Sequence, residues 1–249
     1  MRIWELIGEK LSVTVVHGDL IRVVESQEQI ATNKLVDNLE EQQQLEALLE
    51  KSKPIFAEYS EKLHYLLATP FRYPPLVHGS RFATRFQSSL FYASKKISTA
   101  FAETAYYRFY FWKGMEVPPP GAKFLTEHTV FKASYYSEKG LKLQNPSFAE
   151  FEQSLTDPAY YHITQQLGTD MREHDIEVFE YVSARDVERN INTALFYPSA
   201  LVSKKPKEQQ QWLCETTAEK VSFSAKHGKL YVYPLTSYLV NGEFPSPAH

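Results

Sequence analysis

The chain has 249 residues, of which 43% are hydrophobic, 23% charged and 14% aromatic, the make-up of a globular protein long enough to bury one sizeable core. A formal net charge of −3 disfavours a general nucleic-acid-binding surface, and the single cysteine, Cys214, excludes an intrachain disulfide and a cysteine metal cluster. No apolar signal-peptide core follows Met1-Arg2-Ile3-Trp4-Glu5, and no run approaches the roughly 18 apolar residues of a membrane span, so a cytoplasmic location is expected.

Two apolar runs, Leu11 to Val16 and Leu20 to Val24, flank the turn signal His17-Gly18-Asp19 and predict a hairpin or strand–turn–helix. Leu35, Leu39, Leu45, Leu48 and Leu49 recur at helical spacing, which predicts a helix over 32–52 with Thr32 or Asn33 as N-cap, Glu40, Glu41 and Gln42-Gln43-Gln44 facing water, and Pro54 beyond its end. A second helix is predicted over Phe56 to Leu67, after which Pro70, Pro74 and Pro75 break regular structure and leave Arg72 in an extended or turned segment. Leu90 to Ala93 reads as a short aromatic strand, followed by a helix capped by Ser98 or Thr99 and running to about Phe111.

Pro118-Pro119-Pro120-Gly121 is a break, and a strand over Thr129 to Tyr136 then meets a turn near Lys139-Gly140. Helices are predicted over Phe148 to Leu155 and over Tyr160 to Gly168, the latter ended by its glycine. Strands are predicted over Val178 to Val182, Thr193 to Tyr197, Val221 to Phe223 and Leu230 to Val232, and the tail after Asn241 is expected to fray. Trp212-Leu213-Cys214 reads as a buried apolar stretch rather than a reactive thiol. Short strands mixed with helices, without a regular βαβ alternation, argue an α+β fold.

The chemistry-bearing residues concentrate between Thr69 and Lys113. Arg72 and Arg81 lie in Pro/Gly-punctuated segments and form a candidate anion clamp. Tyr92 ends the short strand as a candidate aromatic platform. Glu103 sits among Phe101, Ala102, Ala105 and Tyr106 in the predicted helix. Periodicity allows two placements: a buried acid needing a partner or ligand, or a solvated face shared with Tyr107 and Tyr110. No phosphate-binding GxxxxGK[ST], no GxGxxG, no HExxH and no GxSxG occurs, and the eight histidines show no ligand spacing, so a metal site is not expected.

Taken in order, these segments resemble the RES domain family. Arg72 fits its first arginine, Gly79-Ser80-Arg81-Phe82 its Gly–Arg–aromatic motif, Phe91-Tyr92-Ala93-Ser94 its tyrosine strand and Thr99-Ala100-Phe101-Ala102-Glu103 its glutamate helix. Tyr197-Pro198-Ser199-Ala200 fits the late serine motif, and eleven residues separate Arg81 from Tyr92 and Tyr92 from Glu103. The resemblance covers about residues 63–202. It divides the chain into a largely helical extension over 1–62, packed on the core, and a RES-like catalytic domain over 63–249.

The resemblance implies an α+β fold like that of ADP-ribosyltransferases, with a mixed sheet flanked by helices. It implies an NAD-degrading enzyme, the toxin of a module whose antitoxin is an Xre-like helix-turn-helix protein. NAD would be a substrate, with no cofactor, and inorganic phosphate or water would accept the ADP-ribosyl group. In this reading Arg72 and Arg81 bind the pyrophosphate, Tyr92 faces the nicotinamide or its ribose, Glu103 stabilises the developing cation, and Ser199 bonds a phosphate or the amide. Two alternatives stay open. One is transfer of ADP-ribose to a macromolecule. The other is a non-catalytic RNA-binding surface built from Arg72, Arg81, Arg85, Lys95 and Lys96.

Overall fold

The computed structural model describes residues 2–26, 38–55, 60–226 and 228–246. In chain order the regular elements are α1 (Ile3–Ile7), β1 (Thr14–Glu25), α2 (Leu39–Ser52), α3 (Tyr65–Arg72), β2 (Phe91–Ser94), α4 (Ile97–Lys113), β3 (Phe124–Lys142), α5 (Glu152–Leu155), α6 (His162–Glu173), β4 (Val178–Val182), β5 (Ile191–Leu195), β6 (Glu208–Thr216), β7 (Lys220–Ser224) and β8 (Leu230–Pro234). The α+β class stands: one eight-stranded mixed sheet, flanked by helices, runs in the order β1-β2-β5-β4-β3-β6-β7-β8.

The sheet also closes on itself. β1 pairs antiparallel with β3 from Thr14 to Glu25, and its other edge meets β2 where Ile21 faces Ser94. β2 pairs with β5, β5 with β4, and β4 runs parallel to the end of β3 at Gly140–Lys142. Five strands therefore form a ring, which leaves no free edge there. β3 has 19 residues and outlasts the ring. Its first half pairs with β6, and β7 and β8 extend from there as an antiparallel wing.

Leu20, Phe91, Ala133, Val178 and Leu195 fill one apolar cluster beneath the ring strands. Phe82, Leu167, Phe179 and Phe196 pack a second beside α6. Phe101, Tyr106, Phe109, Trp212 and Phe223 form a third between α4 and the wing. Burying each such side chain contributes about 1.5–3 kcal/mol. Helix α4 is apolar on nearly every side, as a helix enclosed by other elements must be.

Several expectations are corrected. His17-Gly18-Asp19 makes no turn, because β1 pairs through it, with Gly18 opposite Tyr135 and Asp19 opposite Ser134. Residues 14–25 are thus a ring strand, not part of a helical extension. Lys139-Gly140 also continues a strand. A Cβ on Gly140 would lie 2.1 Å from Val16 Cγ2, so glycine there permits the close crossing of β1 and β3. The expected caps Thr32 and Asn33, and Phe56 to Tyr59 of the second helix, lie outside the described residues. α2 starts later, where Asn38 Oδ1 accepts the Glu41 N–H at 2.9 Å, and its Gln42 is buried while Leu39 and Leu48 are exposed. Pro70 lies inside α3 rather than ending it, and Arg72 closes that helix.

α4 begins at Ile97 after Lys96, whose side chain makes no cap, and Thr99 lies inside the helix with its hydroxyl donating to Asp186. The segment expected to be a helix over 148–155 is 3₁₀ from Pro146 to Phe151 and α only beyond it. Gly168 does not end α6. Its missing Cβ would lie 2.0 Å from the Phe82 carbonyl oxygen, so the helix crosses the 79–82 loop at the one residue that allows contact. β6 was not foreseen, since its first four residues are exposed and three of them are glutamines. The tail does not fray before residue 246: Phe244 stacks on Tyr106, and the Pro245 carbonyl accepts the Tyr106 hydroxyl at 2.8 Å.

Candidate functional site

A cavity of about 570 Å³ opens where β1, β2, α3 and α4 converge, within the usual range for small-molecule sites. Arg81, Tyr92 and Glu103 all line it, although they come from a loop, a strand and a helix. Arg72 and Ser199 do not. The Arg72 Nε donates to the Pro54 carbonyl at 2.5 Å, and Ser199 is exposed on a 3₁₀ turn after β5. Arg22 lines the cavity instead, carried there by β1.

Glu103 is half-buried, and the choice between its two placements resolves toward the cavity. Its Oε1 accepts the Ser183 hydroxyl at 2.6 Å and the Asn192 Nδ2 at 2.6 Å. Asn192 is itself fixed, because its Oδ1 accepts the Ser94 hydroxyl at 2.6 Å. Ser183 Oγ also accepts the N–H groups of Arg185 and Asp186, both at 3.1 Å. Two donors therefore hold one carboxylate oxygen in place.

The arginines differ in what they already hold. Arg22 Nη1 donates to the Tyr92 carbonyl and its guanidinium lies 5.2 Å from the Phe91 ring centroid, while Nε is buried without a partner. Burial pulls its pKa down to about 10, which leaves it charged near neutrality. Arg81 Nη1 donates to the carbonyls of Asp157 at 2.8 Å and Leu155 at 3.4 Å, and its guanidinium lies 4.6 Å from the Tyr161 ring centroid. Arg185 also lines the cavity and donates to the Pro158 carbonyl at 2.6 Å and the Tyr161 hydroxyl at 3.0 Å.

Tyr92 is pushed up to about 12 by burial, against the opposing hydrogen bonds from Ser80 and the Phe82 N–H. Its hydroxyl meets Ser80 Oγ at 2.9 Å and accepts the Phe82 N–H at 3.1 Å, so it pins the loop that carries Arg81. Of the basic residues considered for RNA, only Arg81 lines the cavity. Lys95 Nζ donates to the buried Glu180, and Arg81 is committed to backbone carbonyls. Among the described residues no group of three or more His, Cys, Asp or Glu side chains is placed to hold a metal ion, and no helix is long and apolar enough to cross a membrane.

Sequence reasoning missed Arg22, Ser183 and Asn192. The available signals were an arginine inside the apolar run Leu20-Ile21-Arg22-Val23-Val24 and a Ser183-Ala184-Arg185-Asp186 turn directly after a strand. No curated protein matches the chain. The sequence model of the RES domain matches residues 57–216, more than half of the chain, and the protein belongs to the RES domain family.

Proposed function

We propose that this cavity cleaves the bond between nicotinamide and ribose in NAD, by phosphorolysis or hydrolysis, and that the chain is the toxin of a toxin–antitoxin pair. The observation that carries the reading is Glu103, a carboxylate fixed through one oxygen in a cavity that also presents Arg22, Arg81 and Tyr92. Nicotinamide is already cationic and needs no acid to leave. The glycosidic electron pair passes to the ring nitrogen as the bond breaks, and positive charge develops on the ribose. Glu103 Oε2 has no hydrogen-bond partner among the described residues, so it is open to the ribose hydroxyls and to that charge.

In this reading Arg22 takes the part that the resemblance implied for Arg72. Together with Arg81 it faces the pyrophosphate, with planar donors suited to phosphate oxygens. Ser183 and Asn192 act through Glu103 rather than on the substrate. Water adding to the ribose yields ADP-ribose and releases a proton. Phosphate adding there yields ADP-ribose-1″-phosphate. An Xre-like antitoxin would silence the enzyme by closing the cavity, whose arginines suit an acidic segment.

The test is incubation of the purified protein with NAD, with and without inorganic phosphate, followed by quantification of nicotinamide and both ADP-ribose products. Nicotinamide release is expected, and the product ratio identifies the acceptor. Absence of release under either condition overturns the reading. Release without either soluble product points to transfer onto a macromolecule.

A further inference from the structure

Cleavage at Glu103 uses only the nicotinamide half of a dinucleotide, yet the cavity continues past that residue. Its lining runs on to Tyr65, Thr69, Tyr73 and Leu76, on α3 and the proline-rich segment behind it. This wall is apolar and aromatic where the floor is charged. Tyr65 is 50% exposed and Tyr73 40%, and Leu76 is also exposed. Among the described residues Tyr73 has no ring contact, and no hydrogen bond reaches its hydroxyl. A large aromatic left unpaired at a cavity mouth is a free stacking surface.

The backbone of this wall is tied by hydrogen bonds. Ser89 Oγ donates to the Tyr73 carbonyl at 2.6 Å, and Thr69 Oγ1 donates to the Tyr65 carbonyl at 2.7 Å. Pro74 and Pro75 fix the backbone immediately after Tyr73. Stacking on a preorganised ring avoids the ordering that a mobile loop would require.

Resting on the proposed NAD reading, we infer that Tyr73 and Tyr65 form a subsite for the second planar base of the substrate, the adenine. The arginines would hold the pyrophosphate between that base and the reacting ribose. The enzyme would accordingly be selective for a dinucleotide over nicotinamide mononucleotide, which carries the same scissile bond without the adenine.

The experiment compares kcat/KM for NAD and for nicotinamide mononucleotide in the wild type, Tyr73→Ala, Tyr73→Phe and Tyr65→Ala, with ADP affinity measured by calorimetry on the same proteins. The NAD-to-mononucleotide ratio and the ADP affinity should each fall by about 5- to 150-fold in Tyr73→Ala, the range for one base–aromatic stack. Tyr73→Phe should keep both, and Tyr65→Ala should lower both by less. An unchanged ratio with NAD turnover intact overturns the subsite and leaves the enzymatic reading standing. Loss of ADP affinity in Tyr73→Ala, in a protein that cleaves neither substrate, supports the subsite while the enzymatic reading falls. Absence of both turnover and ADP binding in the wild type overturns both.

Discussion

Helix α4 presents two unlike sides. Toward the wing it offers Phe101, Ala105, Tyr106 and Phe109, all buried. Phe101 stacks on Phe223 with centroids 4.2 Å apart, and Tyr106 on Phe244 at 5.1 Å. Toward the ring it offers Ala100, Glu103, Thr104 and Tyr107, which line the cavity, and all but Ala100 keep partial access to solvent. One side is saturated with ring contacts. The other holds a carboxylate with one oxygen fixed and the other open. A single apolar-looking helix therefore divides its labour, with packing supplied on one side and reactive groups held ready on the other. The wing gives the cavity a rigid back wall without contributing a side chain to it.

That division can be broken from either side. The largest effect is expected from Phe101→Ala, which should cost about 3–5 kcal/mol of unfolding free energy by opening a cavity in the wing cluster. Chemical denaturation reads the loss, and nicotinamide release per folded molecule should stay within about twofold of wild type. A collapse of turnover in the folded fraction would show that the two sides are not separable. Glu103→Gln keeps the shape and removes the charge. Its turnover should fall by about 10²–10³, roughly 2.7–4 kcal/mol, with NAD affinity changing much less. Single-turnover release by a variant of unchanged melting temperature is the measurement, and near-wild-type release removes Glu103 from the chemistry.

Beside the wing, β3 carries a buried titratable group. His128 is held down to about 4 by burial first and by Arg108 second. Its ordinary value is 6.5, so between those limits the unfolded chain binds the proton and the folded chain does not. Stability should therefore be complete above about pH 6.5 and decline as the pH falls toward about 4, by on the order of 3 kcal/mol. His128→Gln should flatten that slope in pH-dependent denaturation, and an unchanged slope would assign the acid sensitivity elsewhere. The smallest effects separate the cavity from its surroundings. Arg22→Ala should weaken NAD binding by about 1.5–3 kcal/mol, and Arg72→Ala by no more than about 0.5. Calorimetry showing the reverse order would restore the Arg72–Arg81 clamp.

The local signals were legible where pattern and burial agree. Val178 to Val182 is rich in β-branched and aromatic residues and is a buried strand at those bounds, and α4 follows from its long apolar run. The ring was not legible, because closure joins β1 to strands far along the chain and no local period records it. Gly18 and Gly140 read as turns because glycine is the usual turn residue, yet both lie inside long strands. Arg81, Tyr92 and Glu103 come together as the ordered motifs implied. Arg22 was hidden by its distance from those motifs in sequence. Ser183 was hidden by a competing serine at Pro198-Ser199, which is outside the cavity.

The ring has a consequence for the order of synthesis. Ser26 and Thr129 meet where β1 lies on β3, yet 103 residues separate them. Asn192, which completes the hold on Glu103, is made later still. At roughly 5–20 residues per second, Arg22 waits on the order of 10–30 s before the cavity can be complete. On the proposed reading, a nascent chain would be inert until Asn192 has been made. Truncation at Ile176, before β4 and β5, should yield a product without nicotinamide-releasing activity or toxicity. On the proposed reading, any hazard to the cell would begin only once β5, with its Asn192, has been made.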